Sequence, residues 1–174
     1  EEKAADFGAK YSATKCYGTY QALINDPNVD VIYIATPHIF HCEYTLMCLD
    51  AGKHVLCEKA FGMNQSEVRK MVEKAREKQL FWMEALWTRF IPGMLKVVEL
   101  LENNVIGDLK IVKADFGFKA DPDPKGRLFN PDLGGGALLD IGIYPIFLSL
   151  LTLGKPTKIQ ASAIRSATKV DASN

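Results

Sequence analysis

The sequence holds no G-x-G-x-x-G, the glycine pattern that opens a phosphate-binding turn between a strand and a helix. It lacks an excess of either charge: 21 Lys and Arg stand against 21 Asp and Glu, interspersed along the chain. That removes the electrostatic case for a nucleic-acid partner or an anionic membrane surface. No unbroken apolar run approaches the roughly 18 residues of a transmembrane helix, so no membrane partner is expected. Glu1-Glu2-Lys3 lacks the apolar stretch of a signal peptide. Cysteine is sparse. Cys16, Cys42, Cys48 and Cys57 have no paired spacing and read as reduced, buried thiols of a cytoplasmic protein. Histidine is sparser: His38 and His41 beside Cys42 do not make a closed zinc spacing, and no metal is expected. Against these absences stand 174 residues that are 48% apolar, enough to bury a core.

The core begins with Val31-Ile32-Tyr33-Ile34-Ala35, a short apolar run rich in β-branched residues. It reads as a parallel strand buried on both faces. His54-Val55-Leu56-Cys57 is a second such run. Between them Phe40 to Ala51 is helix-like, and Gly52 sits where a C-cap residue belongs. Strand, helix, strand predicts a βαβ unit with two adjacent parallel strands. Thr36-Pro37 follows the first strand and Glu58-Lys59 the second. Ligands of open parallel sheets bind beyond the carboxyl ends of the strands, so Thr36, Glu58 and Lys59 share the rim where a site would lie.

Upstream, Glu1 to Tyr11 reads as the end of a helix and Thr14 to Tyr17 as a short edge strand. Thr19 is placed to cap a short helix through Leu23-Ile24. Downstream, Asn64 and Glu67 form a capping box for a helix burying Val68, Met71, Val72 and Ala75. Leu80 to Met83 is a further strand. Pro92 starts another helix, with Leu95, Val98 and Leu101 on one face. From Leu109 to Phe118 apolar and polar residues alternate, which predicts a half-buried strand of an antiparallel sheet. The loop Asp121 to Gly126 follows. Gly134-Gly135-Gly136 then leads into a very apolar helix, Ala137 to Leu153, in which Pro145 is a kink site. A last strand is expected from Thr157 to Ile164.

Position alone makes Lys59 a surface lysine, and D-I-G-I-Y sets Asp140 and Tyr144 four apart on one helical face. The stretches A-T-P-H-I-F-H and A-G-K-H-V-L-C-E-K, at these places in a βαβ unit, resemble the Gfo/Idh/MocA family. Its hallmark A-G-K-H-V-x-x-E-K-P is matched from Gly52 to Lys59. Ala60 stands where the family usually has Pro, so the fixed φ of proline is absent. M-E-A-L-W-T-R-F, Met83 to Phe90, is similar to the same stretch in the dihydrodiol dehydrogenase members, with the glucose-fructose oxidoreductase members also close.

The resemblance implies an α/β fold. Residues 1–88 would be the remainder of a Rossmann-type parallel sheet whose N-terminal part, with the phosphate-binding turn, lies upstream. Residues 89–174 would begin a C-terminal α+β domain with a largely antiparallel sheet, itself incomplete. It implies an NAD(P)-dependent dehydrogenase moving hydride between a secondary alcohol (a sugar, polyol or trans-dihydrodiol) and a nicotinamide cofactor, NADP or NAD. By the same resemblance Lys59, Tyr144 and Asp140 are catalytic, with Lys59 on the hydroxyl and Tyr144 moving the proton. Thr36, Pro37, His41, Glu58, Lys59, Trp87 and Arg89 meet the cofactor. Trp87, Phe116 and Tyr144 wall the substrate pocket. The partner is a small molecule, with a homo-oligomer built on the C-terminal sheet. The alternative is a non-catalytic nucleotide-binding regulatory protein on the same fold.

Overall fold

The computed structural model describes residues 2–173. Its centre is a parallel sheet in the order β1 (Val31–Ile34), β2 (His54–Cys57), β3 (Trp82–Glu84). Ile32 pairs with Val55, and Val55 with Trp82. Helix α3 (His41–Asp50) crosses from β1 to β2, entered through a tight 3-10 turn at His38–Phe40. It ends as the glycine predicts. Gly52 has φ +76, Lys53 N–H bonds the Cys48 carbonyl and Gly52 N–H the Leu49 carbonyl, which satisfies the last carbonyls of the helix. Helix α4 (Gln65–Lys78) crosses from β2 to β3, capped by Asn64, whose side chain accepts from Glu67 N–H at 3.1 Å. Before these elements lie α1 (Glu2–Tyr11) and α2 (Tyr20–Ile24), the latter capped by Thr19.

The core lies on one side of the sheet. Ile32, Ile34, Val55 and Cys57 pack on Cys48, Leu49 and Ala75, all nearly inaccessible. The other side is open. Val31 and Tyr33 are over half exposed, so β1 is covered on one face and not on both as its composition predicts. An apolar run specifies that a strand can be buried twice; a second layer must be present to do it.

Beyond β3 the chain makes a 3-10 turn at Trp87–Phe90, then α5 (Pro92–Glu102), a 3-10 turn at Pro131–Leu133, a π-helical turn at Leu138–Gly142 and α6 (Ile143–Leu153). A small antiparallel pair, β4 (Ile164–Arg165) and β5 (Asp171–Ser173), closes the described residues. Among the described residues two expected strands are absent and a third is reduced to its last residue. Thr14 to Tyr17 is irregular, its Tyr17 and Lys15 side chains reaching Asp26 instead. Leu109 to Phe118 is exposed and irregular, and Thr157 to Ile164 is extended to a strand only at Ile164. Alternation writes the two faces of a strand, but a strand exists through its ladder partners; none faces residues 109–118 among those described.

The predicted helix Ala137 to Leu153 is broken by the π turn immediately before Pro145. Proline has no N–H to donate to the carbonyl four residues back, and a widened turn accommodates that loss. The stretch Pro131–Leu153, in which an 18-residue window has mean hydropathy 1.8, has the length and composition of a membrane span. Its Asp140, however, is 5% exposed and paired with two cations of the same molecule.

Candidate active site

Lys59 leaves the carboxyl end of β2 and crosses to the π turn. Its Nζ donates to Asp140 Oδ1 at 2.9 Å and also to the Asp140 backbone carbonyl. Arg127 Nη1 donates to the same Oδ1 at 2.8 Å. Two cations therefore share one buried carboxylate. Burial pushes the Asp140 carboxyl up, but the hydrogen bonds and charges of Arg127 and Lys59 outweigh it. The group is held below the usual carboxylate range.

Tyr144 completes the cluster one turn later. Its ring lies with its centre 5.4 Å from Lys59 Nζ. Trp87 Nε1 donates to Tyr144 Oη at 3.0 Å, and Phe116 stands edge-on to the same ring at 5.3 Å. Residues far apart in sequence, Lys59, Trp87, Phe116, Asp140 and Tyr144, are thus brought together.

Beside Lys59 opens a cavity of about 310 Å³, lined by Thr36, Pro37, His38, Glu58, Lys59, Arg127 and Asp140. It lies beyond the carboxyl ends of β1 and β2, where the strand order predicts a ligand. Thr36 Oγ1 is buried there without a hydrogen-bond partner among the described residues. The His38 Nδ1–H donates to the Gly134 carbonyl, at 2.9 Å, and burial holds its ring below the usual histidine range. Glu58 receives the hydroxyl of Tyr33 from the open sheet face. The Lys59–Ala60 peptide is cis.

Two of the expected site residues stand outside this cluster. Arg89 is exposed on its 3-10 turn and has no side-chain bond or ion pair among the described residues; the cation that joins Lys59 on Asp140 is Arg127. His41 is fully buried, with one ring nitrogen 2.7 Å from the Ala60 carbonyl oxygen and the other 2.9 Å from that of Thr36. It offers no surface to a cofactor and instead joins two segments of the rim. The thiols also differ from expectation: Cys48 and Cys57 are buried, Cys42 is partly so and Cys16 is exposed.

Arg127 escaped the sequence reading because it lies in an aperiodic loop. One signal was present: the glycine triplet. Gly135 packs so closely under this loop that a Cβ there would stand 2.7 Å from the Leu128 carbonyl oxygen and 3.0 Å from that of Arg127.

Comparison with known proteins bears on the family and the fold. Residues 1–85 match the family described as oxidoreductase family, NAD-binding Rossmann fold, and residues 94–173 match the GFO/IDH/MocA C-terminal domain. The chain is 47% identical over 171 residues to trans-1,2-dihydrobenzene-1,2-diol dehydrogenase of Mus musculus, covering 97% of this chain and 51% of that protein. The Danio rerio enzyme of the same name is 45% identical, with 97% and 50% covered. The chain spans about half the length of the curated relatives it matches. Among solved structures, KijD10, a 3-ketoreductase from Actinomadura kijaniata in complex with NADP and TDP-benzene, superposes with TM-score 0.73 at 31% identity, over 88% of this chain and 46% of that one. An NAD binding oxidoreductase from Klebsiella pneumoniae gives 0.75 at 31% identity, over 88% and 42%.

Proposed function

We propose that this chain, which belongs to the Gfo/Idh/MocA oxidoreductase family, is the catalytic part of an NAD(P)-dependent dehydrogenase acting on secondary alcohols. One observation carries the reading. An ammonium fixed by a buried carboxylate, Lys59 on Asp140 at 2.9 Å, lies 5.4 Å from the ring centre of a tyrosine at the carboxyl edge of a parallel sheet. The names of two relatives, a trans-diol dehydrogenase and a 3-ketoreductase, support a vicinal trans-diol or a matching ketone as the substrate class.

The residues present fit a nicotinamide. The unpartnered Thr36 hydroxyl oxygen, buried in the wall of the cavity, matches a carboxamide, and Pro37 and Glu58 flank it. When bound, that group supplies the hydride acceptor or donor. Everything else belongs to the chain. Lys59 donates a hydrogen bond to the substrate oxygen, holding the carbon that bears it toward the cofactor side. Tyr144 Oη, as the phenolate, takes the hydroxyl proton during oxidation and, as the phenol, returns it during reduction. Trp87, by donating to Oη, steadies the phenolate that forms. Asp140 keeps Lys59 aimed. Phe116 and Trp87 wall the substrate side and exclude water. In this reading residues 1–88 serve the cofactor, residues 89–174 the substrate and assembly.

The test is a dehydrogenase assay on the full-length protein over a panel of trans-diols and sugars with NAD+ and NADP+. Turnover with at least one pair is expected, and Lys59→Ala should lower kcat/KM by about a thousandfold or more. An inactive parent that binds cofactor tightly would favour a regulatory protein, and a fully active Lys59→Ala enzyme would end the proposal.

A further inference from the structure

One peptide unit next to Lys59 is gripped at both polar ends by ionisable side chains, one fully buried and one half-buried. The Ala60 carbonyl oxygen lies 2.7 Å from His41 Nδ1, and the Phe61 N–H of the same unit donates to Glu84 Oε1 at 2.9 Å. His41 Nε2 in turn lies 2.9 Å from the Thr36 carbonyl oxygen. The imidazole therefore spans from the end of β1 to the segment after β2, and Glu84, the last residue of β3, secures that segment from the other side. Three strand ends converge on the backbone that carries Lys59.

The partners of His41 decide its charge. A carbonyl oxygen accepts and never donates, and a neutral imidazole has one N–H. With carbonyls on both sides, a neutral ring would leave one lone pair facing another, in a place with 0% exposure where no water relieves it. Both contacts are hydrogen bonds only for the imidazolium. A buried cation requires an opposing charge, and the carboxylate on the far side of the same peptide unit is that of Glu84. Burial pushes the Glu84 carboxyl up and outweighs the Phe61 N–H and the charge of His41, which act in the opposite direction. The neighbouring His38 ring stands edge-on at 5.6 Å and spends its Nδ1–H on Gly134. Lys59, the nearby cation, is directed to Asp140.

We propose that His41 is held as an imidazolium and that, with Glu84, it clamps the Ala60–Phe61 peptide and so fixes the backbone from which Lys59 reaches Asp140. Both are positioning residues. The proposal rests on the reading of Lys59 as the group that holds the substrate oxygen.

The experiment is 15N NMR of the histidine rings in the full-length protein at neutral pH. Both nitrogens of His41 should resonate as protonated; one pyridine-like nitrogen would overturn the proposal. Glu84→Gln keeps an acceptor for Phe61 N–H but removes the charge. In this variant the His41 ring should become neutral, and amine labelling of Lys59, read residue by residue by mass spectrometry, should rise by about fivefold or more as its fixed pose loosens. Unchanged labelling would overturn the positioning role. Where turnover is measured, kcat of Glu84→Gln should fall by about tenfold with cofactor affinity within about threefold. A failure of the dehydrogenase reading appears instead as an inactive parent, and leaves the ring spectrum and the labelling to decide the clamp on their own.

Discussion

The indole N–H of Trp87 donates to the phenol oxygen of Tyr144 at 3.0 Å, joining residues 57 apart in the sequence. Trp87 belongs to the turn that follows the parallel sheet, and Tyr144 to the apolar helix α6. The bond settles the direction of hydrogen bonding at the site. Indole nitrogen is a donor only, so the phenol accepts from Trp87 and keeps its own proton free to pass to a substrate oxygen.

Trp87→Phe retains an aromatic wall and removes that donor. A neutral hydrogen bond is worth about 0.5–1.5 kcal/mol net. The expected outcome in steady-state kinetics is a fall in kcat of up to about tenfold with a smaller change in KM, because the bond matters most when charge develops on the phenol oxygen. An equal rise in KM at constant kcat would assign Trp87 to substrate packing alone.

The shared carboxylate gives a pH prediction. Asp140 is held below the ordinary carboxylate range, burial opposing and Arg127 and Lys59 prevailing. A depressed folded value stabilises the fold above the unfolded value, and that contribution disappears as pH falls through the folded one. Arg127→Gln removes one of the two cations and brings the folded value back up. Acid unfolding of this variant, followed by circular dichroism, should therefore begin at higher pH than in the parent. Arg127→Lys should restore most of the difference, since it restores the charge.

Much of this was legible in the residues, and the exceptions have physical causes. The βαβ unit follows from two apolar runs, a capped helix and Gly52, all of them local signals. Asp140 and Tyr144 were visible as two polar groups on an apolar helix. Arg127 was not, because a loop held by backbone carbonyls around Gly135 has no periodicity to read. The Leu109 to Phe118 alternation misled because strand pairing is a property of two segments. The π turn was invisible apart from Pro145, which marks where the α ladder fails without stating how the chain resolves it.

The thiols should separate cleanly in reactivity. Burial pushes Cys57 up to about 12 and Cys48 up to about 11, so neither supplies thiolate at mildly alkaline pH, and neither is accessible. Cys16 is exposed. A coloured disulfide reagent added to the native protein should titrate Cys16 quickly and Cys42 slowly, its thiol raised by burial. Cys48 and Cys57 should react only after denaturation, and fast labelling of either, mapped by peptide mass, would contradict the packing of β2 on α3.

Gly135→Ala tests whether the loop under Arg127 is held as tightly as it looks. The new Cβ would stand 2.7 Å from the Leu128 carbonyl oxygen, 2.9 Å from that of Asn130 and 3.0 Å from that of Arg127. All three are backbone atoms, which do not swing aside as a long side chain would. They belong to a loop closed by the Gly135 N–H on Asn130 and the Gly136 N–H on Leu128. Relief therefore means shifting the loop, at a cost of about 1–3 kcal/mol. The shift carries Arg127 away from Asp140, a pair set by a 2.8 Å contact. Two effects are expected together: a lower thermal midpoint, and an acid limb of unfolding that begins at higher pH, as in Arg127→Gln. A lower midpoint with an unmoved acid limb would mean that the loop gives way without disturbing Arg127, and would separate the fold of the loop from the electrostatics of the site.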